Sequence, residues 1–188
     1  MIGAITLFLL AVQPDVPGIV ARALSALRAQ VPVELVDIEP AKLAGLYQVP
    51  PPGIGGLSGE ELYLFPDGSY VYCEWADVWP LTVHDKGHWA VSASLLELQS
   101  DPDITWSPGV ERRHLLFRRS RMPGEALLLG LGMRLSILER AKKAGDDSSV
   151  VWLSLSRGAV YENRPEGMRL KAELMRRAWR PEAFRKAP

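Results

Sequence analysis

From Gly45 to Leu129, apolar and polar positions alternate in short runs broken by turn residues, the spacing of an antiparallel β-meander. At its centre, Glu60-Glu-Leu-Tyr-Leu-Phe-Pro-Asp-Gly-Ser-Tyr-Val-Tyr-Cys-Glu-Trp75 sets two strand-like runs around Pro66-Asp67-Gly68. That tripeptide suits a three-residue hairpin loop, a type I turn with Gly68 in the left-handed position. The register this implies pairs Phe65 with Ser69, Tyr63 with Val71 and Glu61 with Cys73. One face then carries Tyr63, Phe65, Val71, Cys73 and Trp75; the other carries Leu62, Leu64, Tyr70 and Tyr72, with Glu60 and Glu74 at its edge. An open sheet with one wet face alternates more cleanly than this. Two apolar faces predict cover on both sides, a barrel interior on one and a helix on the other. Asp85-Lys86-Gly87 reads as a second turn, leading into His88–Ser92 and Leu95–Leu98. Further strands are predicted at Arg113–Arg119, Glu125–Leu129 and Val150–Leu155.

The flanks have helical spacing. Asp15 can cap a helix near residues 16–30, with Pro17 in its first turn, where a missing N–H costs little. Ile19, Val20, Ala23, Leu24, Ala26 and Leu27 make its apolar face, and Pro32 ends it. Residues 31–38 alternate weakly as a strand, and Ala41–Leu46 is a helical turn or the approach to the meander. Pro50-Pro-Pro-Gly-Ile-Gly-Gly-Leu-Ser-Gly59 is a loop, read as a plain connection. Met133–Ala144 predicts a helix inserted among the strands, with Gly145 as its stop. Pro165–Phe184 predicts another, with Met168, Ala172, Met175 and Trp179 on one side and Arg169, Arg176, Arg177 and Arg180 opposite. The fold class is therefore α+β: an antiparallel β-meander, closed or half-closed as a barrel, with flanking N- and C-terminal helices. Residues 1–13 read as a hydrophobic leader, 14–42 as an N-terminal helix and short strand, 43–155 as the β domain with its inserted helix, and 156–188 as a basic helical segment.

A chain of 188 residues is long enough to bury a core without staples. Its one cysteine, Cys73, excludes an intramolecular disulfide framework and a zinc ribbon. The zero net charge conceals an asymmetry: residues 1–111 carry 4 Lys/Arg against 14 Asp/Glu, and residues 112–188 carry 18 against 8. Halves of −10 and +10 attract each other and favour docking of the second on the first, with a basic face for an anionic partner as the rival reading.

The apolar run Met1–Val12, ended by Gln13-Pro14-Asp15, has the length of a signal-peptide core and is too short for an ordinary membrane span. It leads to an expectation of export to the periplasm or extracellular space. The alternative is a buried first strand at residues 2–12 in a cytoplasmic protein.

Candidate chemistry is sparse. Cys73, His84 and His88 offer a soft donor set, the histidines flanking the Asp85–Gly87 turn; three donors on this register do not amount to a metal site. Gly130-x-Gly132 lies between a strand and a helix, as in a dinucleotide fingerprint, but Leu135 occupies the third glycine position and no acidic residue closes the next strand. No Gly-x-Ser-x-Gly elbow, Walker loop or His-Glu-x-x-His is present, and there is no clear nucleic-acid motif. No catalytic residue, metal or cofactor is assigned. The aromatic side chains of Tyr70, Tyr72, Trp75, Trp79 and Trp89 cluster along the meander. Lining a barrel, Tyr70, Tyr72, Trp75 and Trp89 are the candidate ligand-binding residues; the rival reading is that they fill the core.

The order Gly45-Leu-Tyr47, Leu62-x-Leu-x-Pro-Asp-Gly-x-Tyr70, Gly87-x-Trp89 and Leu96-x-Leu98 resembles the lipocalin-like β-barrel modules of bacterial exported proteins, over residues 43–129. The resemblance implies a small antiparallel barrel and transfers no catalytic residue. The expected function is a non-enzymatic exported binding or structural module holding a small apolar ligand against Tyr72 and Trp89. The alternative is a protein–protein module of inhibitor or immunity type using the charged faces.

Overall fold

The structure, a computed structural model, describes residues 16–160 apart from 52, 103–109, 123–125, 142–144 and 146, and leaves the side chains of Trp79, Ala159 and Val160 aside. The expected leader or first strand at 1–13 and the helix at Pro165–Phe184 lie outside the described residues.

Eight antiparallel strands follow one another around a closed barrel. They are β2 (Gly45–Val49), β3 (Ser58–Leu64), β4 (Ser69–Ala76), β5 (Trp79–Ser92), β6 (Leu95–Ser100), β7 (Arg113–Arg119), β8 (Leu127–Gly130) and β9 (Ser154–Val160). Each pairs with its neighbour in sequence, and β9 closes the ring on β2, Gln48 opposite Ser156 and Leu46 opposite Ala159. This is an up-and-down barrel, which removes both sheet edges. A short ninth strand, β1 (Val33–Leu35), pairs with β7 beyond the part that β6 occupies, Leu35 opposite Phe117 and Val33 opposite Arg119.

The hairpin at Pro66–Gly68 has the register its sequence implies: Tyr63 faces Val71 and Glu61 faces Cys73, and the Phe65 N–H donates to the Ser69 carbonyl at 2.8 Å. The two faces also separate as the alternation requires. Leu62, Leu64, Tyr70 and Tyr72 turn inwards, where they join Leu43, Tyr47, Trp89, Leu96, Leu98, Leu116, Leu128 and Leu155 in one buried cluster. Tyr63, Phe65, Val71 and Cys73 turn outwards and form a second buried cluster with Val83, to which no residue of the described helices belongs.

Helices cover a different part of the outer face. Helix α1 (Val16–Gln30) has the apolar spacing described above, and its Ala23 and Leu27 are wholly buried. They pack with Leu115 and Phe117 of β7, Leu127 and Leu129 of β8, Leu135 and Leu138 of α3 (Met133–Glu139) and Val150 of α4 (Asp147–Leu153). Helix α2 (Pro40–Leu43) is one turn, opened by its proline. Among the described residues no helix is long and apolar enough to cross a membrane.

Three expectations are corrected. The helix expected over Met133–Ala144 ends at Glu139, five residues early; Gly145, at φ +78°, lies in the connection that follows. The strand expected at Val150–Leu155 is instead the end of α4 and the start of β9. Its β-branched pair Val150-Val151 is strand-like locally, yet Val150 is placed on the helical layer over β8. The third correction is at Asp85-Lys86-Gly87, which is not a turn: β5 runs unbroken through it, pairing with β4 up to His88 and with β6 from Gly87 onwards. A strand that changes partner along its length is the stagger that barrel closure requires. Gly87 is present for space. A Cβ there would lie 2.0 Å from the Gln99 carbonyl oxygen and 2.8 Å from the Ser100 Cα, both backbone atoms that cannot swing away.

Gly87→Ala is therefore expected to lower the unfolding free energy by about 2–3 kcal/mol in urea titration, the scale of a forced backbone shift. Gly55→Ala is the control, expected to be near neutral, because nothing lies within 4 Å of the added carbon. Equal midpoints for the two variants would contradict the close approach of β5 and β6.

Candidate functional site

Two polar clusters are built into the barrel wall on neighbouring positions of β4. Tyr70 and Tyr72 both point inwards, and each phenol meets a carboxylate that is itself paired to an arginine. The Tyr70 hydroxyl donates to Asp85 Oδ2 at 2.8 Å and accepts from Arg112 Nη1 at 3.1 Å. The Tyr72 hydroxyl lies 2.8 Å from Glu60 Oε2 and 3.0 Å from Glu74 Oε1, and Arg134 is ion-paired to Glu60. The clusters adjoin, because Tyr72 and Asp85 are cross-strand partners.

Asp85 reaches the interior through a bulge. In a regular strand Val83 and Asp85 would share a face. Here Tyr72 pairs with Asp85 and Cys73 with Val83, which leaves His84 as the extra residue. Val83 thus turns out to join Cys73 while Asp85 turns in. The Asp85 side chain is wholly buried and fully satisfied. It accepts from Tyr70, from Ser100 Oγ at 2.8 Å, from the Lys86 N–H at 2.9 Å and from Arg112 Nη1. A buried carboxylate is tolerated only with this degree of pairing.

Burial holds the Tyr70 phenol above its ordinary range, with Asp85 adding to the rise. Burial raises the Tyr72 phenol further, and the charges of Glu60 and Glu74 reinforce it. Both groups are hydrogen-bond donors rather than nucleophiles or bases.

Beside Tyr72 a crevice of about 10 Å³, the room of one water, is lined by Glu60, Glu111, His114 and Arg134. The Glu111 carboxylate accepts from the backbone N–H groups of Gly132, at 2.5 Å, and Arg134, at 2.9 Å. It thereby occupies the start of α3, where a nucleotide phosphate would have to sit. A Cβ on Gly130 would lie 2.3 Å from that carboxylate, so this glycine makes room for Glu111. His114 is buried, and among the described residues its Nδ1 has no hydrogen-bond partner. Burial, with the Arg134 charge second, lowers its pKa from 6.5 to about 3.

The sequence-derived candidates divide. Tyr70, Tyr72 and Trp89 all belong to the inner cluster, with the Trp89 indole N–H donating to the Phe65 carbonyl at 3.0 Å. Trp75 does not join them; it is half-buried, and its ring lies where a Cβ on Gly59 would stand, at 2.6 Å. His84 and His88 stand four residues apart on one strand, roughly 13 Å at the usual strand rise. His84 lies 3.7 Å from Glu74, His88 lies 3.8 Å from Asp101, and Cys73 is buried on the outer face. Among the described residues no group of His, Cys, Asp or Glu could hold a metal ion.

Strands β6 and β7 pair over Leu95–Glu97 and Arg113–Leu115, and the Leu98 N–H still donates to the Arg112 carbonyl at 2.8 Å. Alongside this short seam an open groove of about 340 Å³ is lined by His88, Trp89, Ala90, Glu97, Leu98, Gln99, Arg112 and Arg113. Trp89 and Leu98, both nearly buried, show it only a small part of their surface, and two guanidinium groups border it. Arg112 spans the wall: one nitrogen is anchored on the buried Asp85, while over a third of its side chain is exposed. No protein family matches the chain, and no curated protein or solved structure is detectably similar to it. The likeness to lipocalin-like modules holds at the level of architecture, a closed barrel of eight antiparallel strands.

His114 sets a measurable acid limit. Its folded pKa is depressed, so between pH 6.5 and about 3 the unfolded chain binds a proton that the folded chain does not. Its contribution is complete above pH 6.5 and is lost as pH falls, at about 1.4 kcal/mol per unit. His114→Leu is expected to shrink the stability difference between pH 7 and pH 5 by about 2 kcal/mol in urea titrations at the two pH values. An unchanged difference would mean that His114 is not held neutral.

Proposed function

We propose that this protein is a non-enzymatic binding module whose ligand lies in the groove along β5, β6 and β7 rather than in the centre of the barrel. The observation that carries the reading is the groove itself. Its volume of about 340 Å³ falls in the usual size range for small-molecule sites, and it is an open, largely polar groove in which Ala90 and small parts of Trp89 and Leu98 meet the side chains of Glu97, Gln99, Arg112 and Arg113. The inner cluster argues the same way: Tyr47, Tyr70, Tyr72 and the leucines around them pack the interior of an eight-stranded barrel, whose width suits filling by side chains. The apolar ligand expected against Tyr72 and Trp89 is thus better placed on the Trp89 side alone.

A fragment screen read by amide NMR shifts tests this. Hits are expected to move His88–Ala90, Glu97–Gln99, Arg112 and Arg113 together. Hits that cluster instead around Met133, Ile137 and Trp152 would overturn it. Those three apolar side chains stand exposed on α3 and α4 and support the second reading, a protein-contact surface.

Export belongs to the same proposal and rests on the apolar run Met1–Val12. The intact mass of protein purified from its native host is expected to lack about the first dozen residues. A full-length mass would favour a cytoplasmic module.

A further inference from the structure

The groove contains an unused carboxylate fork. Arginine offers five donors and no acceptor, and its Nε and Nη2 hydrogens point along one edge, spaced to grip both oxygens of a carboxylate. This chain uses that edge twice in its own architecture. Arg22 holds Glu139 through Nε at 3.0 Å and Nη2 at 2.8 Å, and Arg118 holds Glu34 through Nε at 3.0 Å and Nη2 at 2.7 Å. Arg112 differs. Both of its hydrogen bonds, to Tyr70 and to Asp85, leave from Nη1. Its Nε and Nη2 have no hydrogen-bond partner among the described residues, and its side chain lines the groove.

Resting on the groove reading above, we infer that the ligand is a small carboxylic acid, its carboxylate seated on Nε and Nη2 of Arg112 and its apolar body lying against Ala90 and the small exposed parts of Trp89 and Leu98. Asp85 is a positioning residue here. It is wholly buried and anchored by Ser100 and Tyr70, so it holds the guanidinium in one orientation from behind. The ordering that a free arginine would undergo on binding is already done. Asp85 also offsets the charge of Arg112. What remains selects geometry: a planar acceptor pair fits the free edge, while an ammonium group finds no acceptor on it. Of the other charged groups, Arg113 is paired to Glu97 and His88 faces Asp101, so neither competes for the fork.

The test is an NMR titration of the full chain at pH 7 with three probes sharing one body: 4-phenylbutyrate, 4-phenylbutyramide and 4-phenylbutylamine. The carboxylate is expected to shift His88–Ala90 and Gln99 with an affinity about tenfold above the amide, the worth of a charge-assisted bidentate pair over a neutral one. The amine is expected to bind more weakly than the carboxylate and to leave the Arg112 Nε–H unmoved, its one carboxylate partner in the groove lining being Glu97, already paired to Arg113. In the unaltered protein the Arg112 Nε–H resonance should move and become protected from exchange with the carboxylate only, a readout independent of any variant. Arg112→Lys keeps the charge facing Asp85 and loses the fork; it should erase the preference for the carboxylate over the amide while the melting temperature stays close to that of the parent. Equal groove affinity for butyrate and amide would overturn the carboxylate inference and leave groove binding intact. A silent Arg112 Nε–H during butyrate binding would overturn it as well. No groove shift with any of the three probes would also overturn it, and the groove reading would then rest on the fragment screen alone.

Discussion

The pairing of β2 with β9 is the constraint on which the rest depends. It joins the first and last strands of the meander, leaves no open edge in the ring and fixes the strand number at eight. Eight strands enclose a space that side chains just fill, so the inward aromatics Tyr47, Tyr70 and Tyr72 become packing before they can become a pocket. Closure also forces stagger. The fourteen residues of β5 serve β4 with one part and β6 with the other, and Gly87 stands at the crossing because only a bare backbone fits there. The cost of closure appears at the β6–β7 seam, where few residues pair and the groove opens.

Polar groups drawn into the wall follow from the same geometry. The bulge at His84 turns Asp85 inwards, and a carboxylate wholly removed from water has to be met by Tyr70, Ser100, the Lys86 N–H and Arg112. Elsewhere, His114 Nδ1, the Ser154 and Ser156 hydroxyls and Arg157 Nε are buried with no hydrogen-bond partner among the described residues.

Charge arrangement ties the two halves of the barrel together. The acidic residues 1–111 supply β1 to β6, and the basic residues 112–188 supply β7 to β9. Ion pairs cross between them at Glu34–Arg118, Glu60–Arg134, Asp85–Arg112 and Glu97–Arg113. The exposed pairs add little individually; the pairs of Asp85 and Glu60 matter more, because one or both partners are withdrawn from water.

Local signals determined a good deal by themselves. The period-2 alternation and the Pro66–Gly68 turn specified the β3–β4 hairpin, its register and the residues of each face, because a strand places successive side chains on opposite sides and a three-residue turn leaves no choice of register. The apolar spacing over residues 16–30 likewise specified α1. What tertiary structure decided were the places where a local signal competes with a distant partner. Asp85-Lys86-Gly87 has turn chemistry, but the ladders to β4 and β6 on either side keep it extended. Val150-Val151 has strand chemistry, but the apolar layer over β8 takes it as helix. Of the candidate site, the inward aromatics were legible. The Arg112–Asp85 pair was not, because its members lie twenty-seven positions apart and meet only across a closed wall. The groove beside them draws its lining from β5, β6 and the start of β7, and no pattern along a single strand carries that information.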